Sequence, residues 1–162
     1  MKNWRKWIMK QTIGLLTKYF GDVVEIKPGL RDETFVLLKD SSRIREAMEL
    51  LRDNGFSMLI DLTAVHYPKR EANFEMIYNM LAMERMLRLV MKVPLSGEFP
   101  EVESVSSVFK TADWYEREVY DMFGVRFKNH PNLKRILMWE SYEGHPLRKE
   151  FPLEGDNLHC YD

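Results

Sequence analysis

Phe74-Glu75-Met76-Ile77-Tyr78-Asn79-Met80 sets large apolar side chains at every second position. Phe74, Met76, Tyr78 and Met80 share one side, and Glu75, Ile77 and Asn79 share the other. A period of two is that of a strand with one face on a core. Two neighbouring runs repeat it. Met58, Ile60, Leu62 and Ala64 alternate with Leu59, Asp61, Thr63 and Val65, and Leu87, Leu89, Met91 and Val93 alternate with Arg88 and Lys92. Tyr67-Pro68-Lys69-Arg70 breaks the chain between the first two runs. These strands predict a sheet whose apolar face takes helices.

Working outward, the N-terminal side supplies those helices. Met9, Ile13, Leu16 and Phe20 recur at helical spacing in a helix from about Trp4 to Phe20, ended by Gly21. Val23 to Ile26 and Thr34 to Leu38 read as two more strands around a Lys27-Pro28-Gly29 turn. Ser41 or Ser42 is expected to cap a second helix with the stripe Ile44, Ala47, Met48 and Leu51, and Asn54-Gly55 to stop it. The fold class expected is α+β: a two-layer domain, a mixed β-sheet of about five strands with helices on one face, and an extended C-terminal tail.

On the C-terminal side, Pro94 to Pro100 reads as a loop and Val102 to Phe109 as a short helical turn. A further helix is expected over about 111–124. It starts at Thr111 or Asp113, with Asp113 and Glu116 spaced as a capping box, and ends at Gly124. Little regular structure is expected after Val125. The expected division is therefore 1–125 as the α+β domain and 126–162 as an extended partner-binding segment. That segment is rich in Leu, Ile, Met, Trp and Phe, which disordered tails lack. It is expected to be ordered by lying on something.

Composition narrows the function. The chain has 162 residues, 45% hydrophobic and 30% charged, the profile of one folded domain. A formal net charge of -1 argues against a general grip on nucleic acid. The single cysteine, Cys160, rules out a disulfide within this sequence and a cluster held by about four thiolates. No apolar run reaches the roughly 20 residues of a membrane span. Lys2, Arg5, Lys6, Lys10 and Lys18 precede the first acid, Asp22, so the first helix is basic and shows Trp4 and Trp7. It reads as a core helix rather than a cleaved leader or a membrane-surface helix.

The helix from Asp113 to Gly124 concentrates the chemistry. Tyr115, Val119, Met122 and Phe123 are expected to form its buried face, leaving Glu116, Arg117, Tyr120 and Asp121 to point elsewhere. Glu116 and Glu118 lie two apart, so they face different directions and make no acid/base pair on one substrate atom. No nucleophile, oxyanion motif or glycine-rich phosphate loop accompanies them. A solvated helix with an Arg117–Asp121 ion pair would explain the acids but not the crowding of Trp114, Tyr115 and Tyr120. Aromatics with Arg are the composition of interface hot spots, so an interface helix is expected. His130, His145, His159 and Cys160 match no zinc spacing. His66 lies alone on a strand. His130-Pro131 and His145-Pro146 mark restrained turns whose imidazoles tie down loop backbone. Arg148-Lys149 and Lys134-Arg135 are neutralised by Glu150, Glu154 and Asp156.

Tyr115-Glu116-Arg117-Glu118-Val119-Tyr120-Asp121-Met122-Phe123-Gly124, followed by His130-Pro131 and Leu133-Lys134-Arg135-Ile136-Leu137, closely resembles the signature of the thirty-kilodalton subunit family of respiratory NADH:quinone oxidoreductase, complex I, also called its C subunit. Asp61-Leu62-Thr63-Ala64-Val65 and Phe74 to Asn79 resemble its central strands, and Gly144-His145-Pro146-Leu147-Arg148-Lys149-Glu150-Phe151-Pro152-Leu153 its C-terminal motif. The resemblance covers roughly residues 20 to 157. The family usually carries an acid where His66 stands and often glycine where Asn129 stands. Asn tolerates the left-handed conformation, so that turn is expected to be kept.

The resemblance implies a non-catalytic subunit of a translocating oxidoreductase that scaffolds electron transfer from NADH to quinone. It implies no cofactor in this chain, with NAD, FMN, iron–sulfur clusters and quinone in partner subunits. Subunits D, B and I are the implied partners, and the implied location is the cytoplasmic face of a prokaryotic inner membrane, held there only through the complex. The implied partner interface comprises Trp114, Tyr115, Glu116, Arg117, Glu118, Tyr120, Asp121, Phe123, Gly124, His130, Pro131, Arg135, His145, Pro146, Arg148 and Lys149. The equivalent subunit of a membrane-bound hydrogenase or deazaflavin-linked dehydrogenase, or a free-standing enzyme reusing the fold, is the alternative.

Overall fold

The computed structural model describes residues 3–28 and 34–152. Gly29 of the expected turn, His159 and Cys160 lie outside the described residues. The elements are α1 (Asn3–Phe20), β1 (Val24–Pro28), β2 (Thr34–Leu38), α2 (Ile44–Asp53), β3 (Met58–His66), β4 (Phe74–Ala82), β5 (Leu87–Leu95), β6 (Glu101–Glu103), α3 (Ala112–Phe123) and β7 (Arg126–Lys128).

Five strands form one mixed sheet in the order β1-β2-β5-β4-β3. Within this sheet the β2–β5 pair is parallel and the others antiparallel, because α2, β3 and β4 intervene in sequence between β2 and β5. Val36, Leu38, Met76, Tyr78, Met80, Leu89, Met91 and Val93 bury one face of it. Met9, Leu16 and Phe20 of α1 and Ile44, Ala47, Met48 and Leu51 of α2 share that core. The α2 stripe is the one the spacing predicts, and the helix stops before Gly55. Its start is a correction. The helix itself begins after Arg43 with no side-chain cap, and the cap stands one turn earlier at Asp40, whose carboxylate accepts the Ser42 N–H at 3.0 Å and begins a tight turn, Ser41–Arg43.

The alternation in β3 is also corrected. Leu59 is buried, but so are Leu62, Ala64 and His66, while Met58 is 42% exposed. A bulge between Leu59 and Asp61 takes Ile60 out of the ladder and flips the face of every residue after it. β3 is an edge strand, and α3 covers it at the bulge. The Thr111 hydroxyl donates to the Leu59 carbonyl at 3.2 Å and the Tyr115 hydroxyl to the Ile60 carbonyl at 3.0 Å. Edge carbonyls left bare would otherwise need water or another chain.

Two further expectations are revised. Val102 lies in β6, and the helical turn begins later, with Val108 and Phe109 N–H groups on the Val105 carbonyl at 2.9 Å each. The chain after Val125 first forms β7, which pairs in parallel with β6 through Glu101–Arg126, Val102–Phe127 and Glu103–Lys128. The boundary expected at residue 125 is thus followed at once by a strand that returns to the domain. Strands of three residues are too short for periodicity to reveal. Asn129 has φ 61°, the left-handed turn expected of it.

Replacing Tyr115 with Phe removes one hydroxyl from the β3 bulge and leaves the Ile60 carbonyl without its donor. Urea unfolding is expected to show a loss of about 1 kcal/mol. An unchanged midpoint would mean that water takes the hydroxyl's place.

Candidate functional site

α3 is where the acids, aromatics and His-Pro turns converge. Its residues alternate between the sheet edge and the segment after β7, so it is enclosed on two sides. Glu116 and Asp121, expected to point outward, are both fully buried with 0% exposure. That is a correction with a simple cause: helix periodicity shows which face meets the sheet but not which face the later chain will cover.

Asp121 gathers the segment after β7. One oxygen, Oδ2, accepts three consecutive backbone N–H groups, from Ile136 at 3.0 Å, Leu137 at 2.8 Å and Met138 at 2.9 Å. The other, Oδ1, meets the Arg135 guanidinium. The Arg117–Asp121 pair of the solvated-helix alternative is absent among the described residues. Arg117 instead donates to the Lys134 and Arg135 carbonyls at 3.1 Å each. Burial alone would raise the Asp121 carboxyl. The Met138 N–H, the Arg135 guanidinium and the Ile136 and Leu137 N–H groups outweigh it and hold the carboxyl below its ordinary range.

The C-terminus of α3 is satisfied by the same segment. Gly124, at φ 76°, returns its N–H to the Tyr120 carbonyl at 2.9 Å. His145 Nδ1 donates to the Asp121 carbonyl at 2.9 Å, the Leu147 N–H to Met122 at 3.1 Å, and Arg148 to Phe123 at 2.7 Å. The last four carbonyls of the helix therefore all have donors, and two of those donors stand on a basic guanidinium or an imidazole, which suits the negative helix end. A Cβ at Gly124 would stand 2.5 Å from His145 and 2.6 Å from Arg148, so the glycine is needed for space as well as for φ. Burial lowers the His145 imidazole, with the Asp121 carbonyl opposing and the Arg148 and Arg135 charges adding.

Further along, the Lys149 N–H donates to His66 Nδ1 at 3.2 Å, and Glu150 lies 3.1 Å from the same nitrogen. His66 stacks on Phe74 with ring centroids 4.4 Å apart. It is therefore not the lone strand residue expected of it. The signal that could have placed it is phase: after the bulge it belongs to the Leu62 and Ala64 face. Arg148 also reaches the Glu98 carbonyl at 2.7 Å and lies 5.0 Å from the Phe99 ring.

Glu116 forms a separate centre at the other end of α3. It makes no capping box. Its Oε2 accepts the Ser104 hydroxyl at 2.6 Å and its Oε1 the Val105 N–H at 2.7 Å. Burial pushes its carboxyl up to about 7 against those two hydrogen bonds, and the Asp113 charge adds to the rise. His130 Nδ1 accepts the Asn132 N–H at 3.0 Å, and Nε2 faces the Asp113 carbonyl at 3.2 Å. Both His-Pro imidazoles thus hold backbone. Ser104 is the site residue that sequence alone does not reveal, since nothing local marks a serine twelve residues upstream as a partner.

The remaining signature residues divide by exposure. Phe123 is buried, and Tyr115 and Tyr120 are partly buried against the core. Pro146 is half-buried, while Glu118, Pro131 and Lys149 are exposed. Trp114 is 60% exposed, and Arg117 lies 5.3 Å from its ring. No cluster of three or more His, Cys, Asp or Glu suited to a metal occurs among the described residues.

Residues 37–157 match the family described as the 30 Kd subunit of respiratory-chain NADH dehydrogenase. The chain belongs to that family. The C subunit of NADH-quinone oxidoreductase from Rhodospirillum rubrum is 42% identical over 144 residues, covering 87% of this chain and 66% of the relative. The chain therefore spans just under two thirds of that relative's length. The corresponding protein of Citrifermentans bemidjiense is 41% identical over 132 residues, covering 81% of each chain. Among solved structures, a chain of the membrane-bound sulfane sulfur reductase, an archaeal respiratory membrane complex, superposes with a TM-score of 0.76 over 93% of this chain and 86% of its own, at 21% identity. At that identity it shows the shared fold.

Asp121→Ala removes the acceptor of three N–H groups and strands Arg135. A loss of about 3 kcal/mol is expected from breaking a buried pair, with new protease cuts confined to residues 129–152. The pH dependence follows from the lowered carboxyl. Asp121 contributes its stability above the ordinary aspartate value of 3.8 and loses it as pH falls through its folded value. Acid titration of thermal stability should therefore be steeper in the parent chain than in Asp121→Ala. Parallel curves would remove Asp121 from this role.

Proposed function

We propose that this chain is a non-catalytic peripheral-arm subunit of a proton-pumping NADH:quinone oxidoreductase. In this reading it carries no catalytic site. It positions a quinone-site subunit and iron–sulfur subunits, the D, B and I components of such complexes, so that electrons pass from NADH to quinone. NAD, FMN, the clusters and quinone belong to those partners. Its membrane association on the cytoplasmic face of a prokaryotic inner membrane is through them. Among the described residues no helix is long and apolar enough to cross a membrane.

One observation supports this most. Asp121, Glu116, Arg117, Arg135 and Arg148 are engaged inside the chain, whereas several large apolar side chains of the same region are displayed. Trp114, Leu137, Trp139 and Leu147 are 60%, 61%, 51% and 52% exposed, and Phe99, next to Arg148, is 46% exposed. They lie on α3, on the segment after β7 and on the loop that Arg148 ties to it. An exposed aromatic and aliphatic group on a braced backbone is the composition of a docking surface. The relatives named as NADH-quinone oxidoreductase subunits support a complex as the destination, and the archaeal fold neighbour keeps the equivalent subunit of another respiratory complex as the second reading.

The test is an affinity pull-down of the tagged chain from its source cells, with mass spectrometry. Recovery of quinone-site and iron–sulfur subunits together with an NADH-binding subunit is expected, and a hydrogenase or sulfur-reducing subunit in its place would select the second reading. The pair Leu137→Asp and Leu147→Asp should abolish this recovery while changing the stability of the purified chain by only about 0.5 kcal/mol. Recovery of the parent chain alone would sink the assembly role.

A further inference from the structure

Glu116 lies away from the Asp121 clamp, and bracing the segment after β7 does not require an acid there. Its surroundings have a property that a merely structural acceptor would not need. Ser104 Oγ lies 2.6 Å from Glu116 Oε2 and 2.7 Å from Ser106 Oγ, and either serine of that pair can donate. Ser104 is 3% exposed, whereas Ser106 is part-exposed. Two hydroxyls therefore lead from a carboxyl with 0% exposure to the surface.

A hydroxyl donates one hydrogen bond and accepts two, so this chain of hydroxyls can run in either direction. With Glu116 ionised, Ser106 donates to Ser104 and Ser104 donates to Oε2. With Glu116 protonated, Oε2–H donates to Ser104, Ser104 donates to Ser106, and Ser106 donates to water. Ser104 Oγ accepts the Ser106 N–H at 3.2 Å in both arrangements, and Oε1 keeps the Val105 N–H. Neither state leaves the carboxyl unpaired, and no backbone needs to move.

We propose that Glu116 is a buried proton-binding site that exchanges its proton with solvent through Ser104 and Ser106. Three titratable groups face it. Asp113, from α3 itself, opposes a second negative charge. His130 presents Nε2 at 3.8 Å from Oε2. The Asn132 N–H donates to its Nδ1, so the ring's proton sits on Nε2, which lies closer to Asp113, 3.1 Å from its Oδ1 and 3.2 Å from its carbonyl. Tyr78, from the middle of β4, is fully buried, and its hydroxyl has no hydrogen-bond partner among the described residues. Burial raises that phenol, and the Glu116 charge raises it further, which places the two groups within electrostatic reach. Burial and the Asp113 charge favour the neutral acid, outweigh the Ser104 and Val105 hydrogen bonds, and push the carboxyl up to about 7.

The sign of the linked stability is fixed. Glu116 holds its proton more tightly in the folded chain than at the ordinary value of 4.5. The stability it contributes is complete below that value and is lost as pH rises through about 7. The proton site rests on groups within this chain and is independent of the assembly reading.

The test follows the carboxyl carbons of the full chain, labelled with 13C at glutamate, from about pH 4 to about pH 9, a range spanning ordinary and raised glutamates. One resonance is expected to titrate near neutrality and to be missing in Glu116→Gln. Ser104→Ala removes a hydrogen bond that favours the ionised form, so the same resonance should move to a higher midpoint, which assigns it even where Glu116→Gln does not fold. All glutamates of the parent chain titrating below about 5 would overturn the proton site. A midpoint unmoved by Ser104→Ala would overturn the serine route.

Discussion

The structure depends on a set of buried acceptors at one end of α3. The Asp121 carboxylate and the last carbonyls of the helix lie where water does not reach, and each needs a donor. Gly124 donates to the Tyr120 carbonyl and the other donors come from residues 135–148, which explains why a segment with little regular structure has one defined path. Three successive N–H groups on one carboxylate oxygen fix the backbone of Ile136, Leu137 and Met138 as firmly as a strand pairing would.

Much of this is legible in the sequence, and the reasons separate what is from what is not. The β4 alternation, the α2 stripe and the Gly124 stop are local patterns whose physical cause lies within a few residues. The imidazoles of His130 and His145 tie backbone, as Pro in the next position implies. The β3 bulge is hidden because Ile60 is as apolar as its neighbours, so the pattern reads unbroken in sequence and shifts only in space. Glu116 and Asp121 read outward because a charge on a helix is normally solvated. Their donors sit 11 to 17 residues away, at Val105 and Met138, beyond the reach of helical periodicity.

Each half of the arrangement requires the other. α3 alone is too polar to bury, since two carboxylates inside a small domain would be intolerable without donors. The segment after β7 alone is too apolar to stand in water and too irregular to pair its own backbone. Folded together, Asp121 and Arg135 pair inside and the apolar side chains Leu137, Trp139 and Leu147 stay outside. A surface held this way loses less conformational entropy when it is covered than a loose tail would. Asp121, with Arg135 and three backbone N–H groups, thus holds in place the stretch of chain that carries Leu137 and Trp139 on its outside.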